Sequence, residues 1–328
     1  MRGWWQDLTD LVLPAECGGC GRPRTVLCPE CRAVLNGAAP GRVRPVPEPP
    51  GLPVVHAAAR YADAVRAVLL AHKERGALAL AAPLGAALAG AVRAGLQEAC
   101  APVDGVGWAG WPGMPRERGD GAVTGLDGAH GGQLPADGER SARSVGAPVL
   151  LVPVPSARGA VRARGHDPAR RIALAAAGEL RRAGTPARVL AVLRQRRAVA
   201  DQSGLNSRQR LDNLAGALAV APGGGRLLSE GPVVLVDDLM TTGASLTEAA
   251  RAVREARAAG AVAYGEAATG VYRVVAREGR GEGMAGATEE ATGRERVGPG
   301  TTAVCGIRDV ICAAVVAAPP DSFEINRN

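Results

Sequence analysis

The sequence predicts an α/β protein with a doubly wound, mostly parallel sheet, that is, a sheet covered by helices on both faces. Uninterrupted apolar runs at 148–155, 233–236 and 310–318 are typical of strands buried on both faces. Segments of helical periodicity lie between these runs, which is the alternation of an α/β fold. Ligands of such folds bind at the carboxyl ends of the strands, so we expect the functional residues there.

Composition and charge limit the class of protein. The chain has 328 residues and a net charge of +7, and Lys73 is its only lysine, so the basic charge comes from arginine. Arginine-rich basicity favours phosphate or nucleic-acid partners. A bias in composition produces the same excess, so the sequence leaves both interpretations open. Only 2% of the residues are aromatic, so the core must consist of Ala, Val and Leu.

We expect no membrane span and no signal peptide. The most apolar segment, 77–92, is short and is interrupted by Pro83, Gly85 and Gly90. The chain opens Met-Arg-Gly-Trp-Trp-Gln-Asp, which lacks the apolar run of a signal peptide. We therefore predict a cytoplasmic protein, whose seven cysteines are free thiols or metal ligands rather than disulfides.

Four of the cysteines form two Cys-x-x-Cys pairs near the N-terminus, and the seven residues between the pairs can form a hairpin. This spacing allows four thiolates to bind one ion without leaving an open position, which predicts a closed structural zinc site. Iron in a rubredoxin-like or iron–sulfur site uses the same ligands and stays an alternative. The predicted metal ligands are Cys17, Cys20, Cys28 and Cys31.

Domain organisation follows from these patterns. Residues 1–36 are expected to hold a short helix and the zinc ribbon, 37–53 a linker rich in Pro and Gly, and 54–328 the α/β domain. Two stretches without periodicity, 101–147 and 276–303, are predicted to be disordered insertions of that domain. The chain is predicted to turn helical from Val54, with helices at 61–76 and 77–100. The further predicted elements are helices at 4–13 and 168–183 and a strand at 189–193.

The strongest functional signal follows the strand at 233–236. Asp237 and Asp238 stand where this strand ends, and a loop of small and hydroxylated residues leads from them into a helix. Unpaired N–H groups at the start of a helix bind anions, so the loop is suited to a phosphate. The carboxylates would repel that phosphate, so we expect them to bind sugar hydroxyls or a divalent metal nearby. Phosphate at one end and a diol at the other describe a ribose 5-phosphate. The alternative is an ordinary strand-to-helix turn with an acidic cap.

A basic loop at 156–167 offers cations for a second anion. Arg158, Arg162 and Arg164 follow a predicted strand. A planar guanidinium can bind two oxygens of a pyrophosphate at once. A basic loop that faces solvent and binds nothing has the same sequence pattern and is the alternative. His166 is expected to be a surface residue that forms hydrogen bonds, and a proton carrier for a nucleophile is the alternative. Residues 201–210 are predicted to be either a mobile hood that closes over the site or a polar connection.

Residues 233–245 resemble the signature of the type I phosphoribosyltransferases, which bind phosphoribosyl pyrophosphate (PRPP). The two Cys-x-x-Cys pairs, the Lys73-x-x-Gly76 helix end and the basic loop add to this resemblance. Together they make the chain similar to the ComF (competence protein F) family, in which a zinc ribbon is joined to a phosphoribosyltransferase domain. The resemblance covers the chain except the two predicted insertions. It departs from the family at His166, Asp167 and Pro168, where the family has Phe, Asn and Gln.

The resemblance implies roles for the site residues. Asp237 and Asp238 would hold the ribose hydroxyls, and Mg²⁺ would accompany PRPP. We take Arg164 as a catalytic candidate together with the two acids, and Arg158 and Arg162 as cations that bind the pyrophosphate. The residues carried over to the 5-phosphate are Thr241, Thr242, Gly243, Ala244 and Ser245.

Three kinds of function are consistent with these patterns. The first is an enzyme that transfers a phosphoribosyl group from PRPP, or a related ligand, to an unidentified nitrogen acceptor. The second is a non-catalytic module that senses PRPP or binds single-stranded DNA, since the resemblance implies a role in DNA uptake alongside a competence helicase. The third is a scaffold with a vestigial site. An enzyme should release pyrophosphate only when an acceptor is present, whereas a DNA-binding module should show salt-dependent affinity without turnover.

Overall fold

The computed structural model describes residues 16–99, 147–197, 199, 206–260 and 311–323. The predicted helix at 4–13 lies outside these residues. So do the two predicted insertions, apart from Ala147, and the first part of the predicted hood, 201–205.

The described strands form one six-stranded sheet and one separate hairpin. The sheet has the strand order β1-β2-β8-β7-β3-β4, and every neighbouring pair is parallel except β1 with β2. The hairpin pairs β5 with β6 in antiparallel fashion. In chain order the strands are β1 (Gly41–Val43), β2 (Val55–Arg60), β3 (Val149–Pro153), β4 (Ala187–Val189), β5 (Leu193–Gln195), β6 (Leu218–Val220), β7 (Val233–Leu239) and β8 (Ile311–Ala318).

Helices cover both faces of the sheet, as the sequence predicted. Alternate residues of β7 point to opposite sides: Val234 and Val236 pack with α3 and α5, whereas Val233 and Leu235 pack with α8. The described helices are α1 (Pro29–Asn36), α2 (Asp63–Lys73), α3 (Ala81–Ala99), α4 (Arg158–Arg164), α5 (Pro168–Arg182), α6 (Ser207–Leu214), α7 (Gly224–Leu228) and α8 (244–260).

Several elements differ from the prediction. The Ala-rich residues Val55–Arg60 have a high intrinsic helical propensity. They nevertheless form the strand β2, because they pair with β8 on one side and with β1 on the other. Strand β1 lies within 37–53, the segment predicted to be a linker. The strand predicted at 189–193 is divided, because Val189 ends β4 in the sheet and Leu193 begins β5 in the hairpin. The basic loop at 156–167 contains the helix α4.

One helical stretch among the described residues, Leu78–Ala99, has the length and composition of a membrane span, with a mean hydropathy of 1.5. The predicted helix at 77–100 is therefore confirmed in its main part, and it runs unbroken through Gly85 and Gly90. Its close packing on α5 explains the small residues, because a Cβ at Gly85 would lie 2.4 Å from the Cβ of Ala175. Length and composition are weak evidence for a span, because a buried core helix of a globular protein meets the same criteria.

Candidate functional site

The four predicted metal ligands come together at the start of the described chain. The sulfur atoms of Cys17, Cys20, Cys28 and Cys31 all lie within 4.8 Å of one another. Tetrahedral zinc with Zn–S bonds of about 2.3 Å would set its sulfurs about 3.8 Å apart, and the Cys20 and Cys28 sulfurs are 3.6 Å apart. The cluster therefore has the size and composition to bind a metal ion such as zinc.

Backbone N–H groups point at the sulfurs of this cluster, as a thiolate requires. The N–H of Cys28 donates to Cys17 Sγ at 3.3 Å, and that of Cys31 donates to Cys28 Sγ at 3.5 Å. Burial alone would raise the pKa of Cys17, but N–H donors from Cys20, Cys28 and Gly19 lower it to about 6. The pKa values of Cys28 and Cys31 are raised instead, that of Cys31 chiefly by burial, so of these three cysteines only Cys17 is favoured as a thiolate before an ion binds. The thiolate is the form that binds metals, so binding of an ion would release protons from the cluster.

The cluster is fixed to the α/β core rather than separate from it. Cys17, Cys28 and Cys31 are buried in the same apolar cluster as residues of α2 and α3. Glycine is required where the parts meet: a Cβ at Gly18 would lie 2.6 Å from Leu80, and a Cβ at Gly19 would lie 2.6 Å from the Cys31 sulfur. Loss of the metal should therefore disturb the packing of the main core.

A cleft of about 470 Å³ opens at the carboxyl ends of β3 and β7. It brings together several of the residues that the sequence singled out, from two separate parts of the chain, and adds residues from other parts. Those that line it are Asp237, Asp238, Thr241, Ser245 and Arg164, together with Lys73 of α2 and Gln195 and Leu218 of the hairpin.

The two acids of the cleft are not equivalent. Asp238 is buried, with 5% of its surface exposed, and its Oδ2 forms an ion pair with Lys73 Nζ at 2.8 Å. Asp237 is partly buried, and its Oδ1 accepts the backbone N–H of Asp238 at 2.8 Å. Burial and the Asp238 carboxylate raise the pKa of Asp237 well above its usual value. The two carboxylates thus repel each other, and the charge of Lys73 offsets part of this repulsion.

Lys73 is the site residue that sequence reasoning missed. It stood out only as part of a helix-end motif, and nothing in the sequence placed it beside residue 238. Burial would lower its pKa, but the carboxylates of Asp238 and Asp237 raise it, so the ammonium stays charged. The sequence did carry one signal for a special role of Lys73: it is the only lysine in a chain whose other strongly basic side chains are arginines.

The loop after the acids leads into α8 as expected for an anion site. Gly243 O accepts the N–H of Thr247 at 2.9 Å and so begins the helix, which leaves the preceding N–H groups without intrahelical partners. Gly243 has φ = +75°, in the left-handed region that favours glycine. Arg210 of α6 donates from its guanidinium to Thr241 Oγ1 at 3.4 Å. The loop therefore combines free N–H groups, hydroxyls and a nearby cation.

The three candidate arginines occupy different positions. Arg164 lines the cleft. Its buried Nη1 atom forms no hydrogen bond among the described residues, and it forms an ion pair with Glu74 Oε1 at 3.7 Å. Arg158 is exposed and lines a neighbouring cavity of about 460 Å³ together with Arg196 and Arg197. Arg162 is exposed and lines neither cavity. Of the three, Arg164 has the geometry to meet an anion in the cleft.

His166 was predicted to be a surface residue, and this prediction is wrong, because only 8% of its surface is exposed. Its ring lies between the ends of two helices. Nδ1 is 3.1 Å from the carbonyl oxygen of Arg164, the last residue of α4, and Nε2 is 3.1 Å from the carbonyl oxygen of His72, in the last turn of α2.

The β5–β6 hairpin forms one wall of the cleft and is tied to α8. The buried carboxylate of Glu248 accepts the Leu218 N–H at 2.9 Å and two Arg251 hydrogen bonds at 2.7 Å each. Burial would raise the pKa of Glu248, but the Arg251 and Leu218 donors lower it.

The described part of the predicted hood, 206–210, begins α6 with a capping box between Asn206 and Gln209. Whether this region closes over a ligand stays a prediction.

In comparisons with known proteins, no family model matches the chain, and a search of curated proteins finds no significant match.

Proposed function

We propose that the cleft binds PRPP, as the type I phosphoribosyltransferases do, in a ComF-like protein. The observation that carries this proposal is the juxtaposition of an acid pair at the end of β7 with the start of α8 in one cleft. The free N–H groups of the loop and the hydroxyls of Thr241 and Ser245 suit a 5-phosphate. Asp237 and Asp238 lie next to this loop in the chain, where they can accept hydrogen bonds from the ribose diol.

The leaving pyrophosphate would meet the cations of the cleft. The Nη1 of Arg164 is buried, forms no hydrogen bond among the described residues and has only the Glu74 carboxylate, 3.7 Å away, as an ion-pair partner, so a pyrophosphate oxygen could supply the missing hydrogen bond. Lys73 is the second cation, and it can move from Asp238 to a phosphate when the ribose hydroxyls occupy the acids. Mg²⁺ prefers oxygen ligands, and the carboxylates of Asp237 and Asp238 would hold it. When bound, the ion would neutralise charge on the pyrophosphate.

In the proposed transfer, the bond between ribose C1 and the pyrophosphate oxygen breaks, and pyrophosphate leaves with the bonding electrons. A nitrogen of the acceptor forms the new bond to C1 and loses its proton to solvent. The side chains of the cleft would act by orientation and charge: the acids orient the ribose, while Arg164 and Lys73 stabilise the leaving group. The hairpin wall would limit the access of water to the positive charge that develops at C1.

We also propose that the four-cysteine cluster is a structural zinc site. Its four thiolates leave no open position for catalysis, and its burial against α2 and α3 suits a structural role. Free thiols of this kind require a reducing compartment, which supports a cytoplasmic location. Metal analysis of the purified protein should find one zinc per chain, and iron in its place would contradict this assignment.

A second candidate function is a module that binds PRPP without catalysis or grips single-stranded DNA during DNA uptake, with a competence helicase as partner. The observation that favours it is the second cavity beside the cleft. Arg158 and Arg196 are exposed there and form no ion pair among the described residues. A basic groove of this kind can follow a nucleic-acid backbone.

Calorimetric titration of Mg²⁺–PRPP into the zinc-loaded protein tests the proposal. We expect saturable binding that is lost in Asp237→Asn/Asp238→Asn. The matched control is Asp212→Asn/Asp321→Asn, which removes two exposed acids outside the cleft and should bind like the wild type. Equal binding by both double variants, or no binding by the wild type, would overturn the proposed site. Salt-dependent binding of single-stranded DNA in its place would support the second candidate function.

A further inference from the structure

The guanidinium of Arg210 lies beside the loop that follows the acid pair, and the proposed function gives it no role. Its Nη1 donates a hydrogen bond to Thr241 Oγ1 at 3.4 Å. Its Nε is buried and has no hydrogen-bond partner among the described residues, and the side chain forms no ion pair with any of them. A partly buried cation thus stands next to the free N–H groups of the loop without an acid to balance its charge.

Packing holds Arg210 in this position. Helix α6 lies against the start of α8 through a small apolar cluster, in which Leu214, Ala217 and Ala244 are buried and Leu211 packs against them. Ala244 belongs to the loop after the acids. Because Leu211 and Leu214 fasten α6 to this loop, Arg210 is fixed at the edge of the loop by the neighbouring residue in the chain.

The contact with Arg210 decides which way the Thr241 hydroxyl points. An arginine side chain has only donors, so the Thr241 oxygen must accept in this hydrogen bond. The single hydrogen of the hydroxyl is then left for a different acceptor. Thr241 lines the cleft, whereas Arg210 does not. The hydroxyl is therefore able to donate its hydrogen to a ligand in the cleft.

We propose that Arg210 is a positioning residue of the phosphate site, which orients the Thr241 hydroxyl so that it donates to a phosphate oxygen. This inference rests on the proposed function, whose 5-phosphate it would help to bind. The oriented hydroxyl and the free N–H groups of the loop are then all donors. The loop thus selects a group whose oxygens accept hydrogen bonds, such as the phosphate of a phosphate monoester, over a neutral hydroxyl.

A double-mutant cycle with inorganic phosphate tests this role. Arg210→Met removes the donor and the charge, and Thr241→Val removes the hydroxyl but keeps the shape. We expect each change to weaken phosphate binding about fivefold, the effect of one hydrogen bond. The double variant should bind phosphate no more weakly than Thr241→Val, because Arg210 acts through the hydroxyl. In protein grown with ¹³C-methyl threonine, the Thr242 signal reports binding at the loop in all four proteins.

Two further variants control the cycle. Arg208 lies on the same helix as Arg210 and is exposed, so Arg208→Met removes the same charge and should change phosphate affinity by less than about twofold. Thr241→Ser keeps the hydroxyl and should keep the dependence on Arg210. Equal losses from Arg208→Met and Arg210→Met would overturn the proposal. So would a loss from Arg210→Met that persists in the Thr241→Val protein, because Arg210 would then act by its own charge or on the loop as a whole.

Titration with PRPP in the same proteins separates this inference from the proposed function. Phosphate needs only the loop, whereas PRPP also needs the acid pair. If phosphate binds with the expected coupling and PRPP does not bind, the proposed function fails and the role of Arg210 stands. If PRPP binds and the losses from Arg210→Met and Thr241→Val add up, the role of Arg210 is overturned and the proposed function stands. A wild-type Thr242 signal that responds to neither ligand would overturn both.

Discussion

Glu248 offers a test of how the wall of the cleft is held. Replacing it by glutamine keeps the shape of the side chain but removes the charge that accepts three hydrogen bonds from Arg251 and Leu218. Hydrogen bonds to a charged group contribute about 1.5–3 kcal/mol each. A glutamine oxygen in the place of Oε1 keeps the bonds from Leu218 and from Arg251 Nη2, so the bond from Arg251 Nε to Oε2 is the one that is lost, together with the charge. We therefore expect Glu248→Gln to lower the free energy of unfolding by about 2–3 kcal/mol.

The chain provides a matched control on the same helix. Glu255 pairs with the same Arg251, but its side chain is 66% exposed, against 5% for Glu248. Exposed ion pairs contribute little, so Glu255→Gln should cost no more than about 0.5 kcal/mol. The measurement is urea unfolding of the wild type and both variants at pH 7, followed by circular dichroism. Equal losses in the two variants would refute the argument from burial.

The difference in unfolding free energy between the wild type and Glu248→Gln should depend on pH. The pKa of Glu248 is lowered in the folded protein from its ordinary value of 4.5, so its stabilising effect is fully present above that value. The effect is lost as pH falls through the lowered pKa. The difference in unfolding free energy between wild type and Glu248→Gln should thus shrink in acid. A difference that grows in acid would contradict the assignment of the charge.

Three further predictions follow from the described contacts. Gly19→Ala should reduce the bound metal, since its Cβ would lie 2.6 Å from the Cys31 sulfur; metal analysis showing a full complement would contradict this. A strong chelator should lower the melting temperature, because the four-cysteine cluster packs on the main core. An unchanged melting temperature would mean that the metal-bound cluster does not stabilise that core. Lys73→Met should raise the pKa of Asp237 further, because the Lys73 charge now lowers it; carboxyl ¹³C titration with no change would exclude that coupling.

The parts of the site that could be predicted from the sequence are those set by local pattern. An apolar run followed by acids, small residues and a helix places Asp237, Asp238 and the loop at the carboxyl end of a parallel strand, whatever surrounds it. The four-cysteine cluster could be predicted for the same reason, because the spacing of the pairs alone brings the sulfurs together.

The parts that were missed depend on contacts between distant segments. Lys73 reaches Asp238 across 165 positions of the chain, and no local pattern encodes that contact. His166 is buried because α2 ends against it, a packing decided by the fold as a whole. Val55–Arg60 is Ala-rich, and only its pairing with β1 and β8 overrides its helical propensity.

The central claim is that one cleft holds a phosphate at the loop and a ribose diol at the acid pair. Its most direct test compares the affinities of ribose 5-phosphate and 2-deoxyribose 5-phosphate, which differ by one hydroxyl, in the wild type and in Asp237→Asn/Asp238→Asn. We predict that the wild type prefers ribose 5-phosphate by about tenfold or more, the worth of a hydrogen bond to a charged group, and that the variant loses this preference. Equal affinity of the wild type for both sugars, or a preference that survives in the variant, would contradict the account.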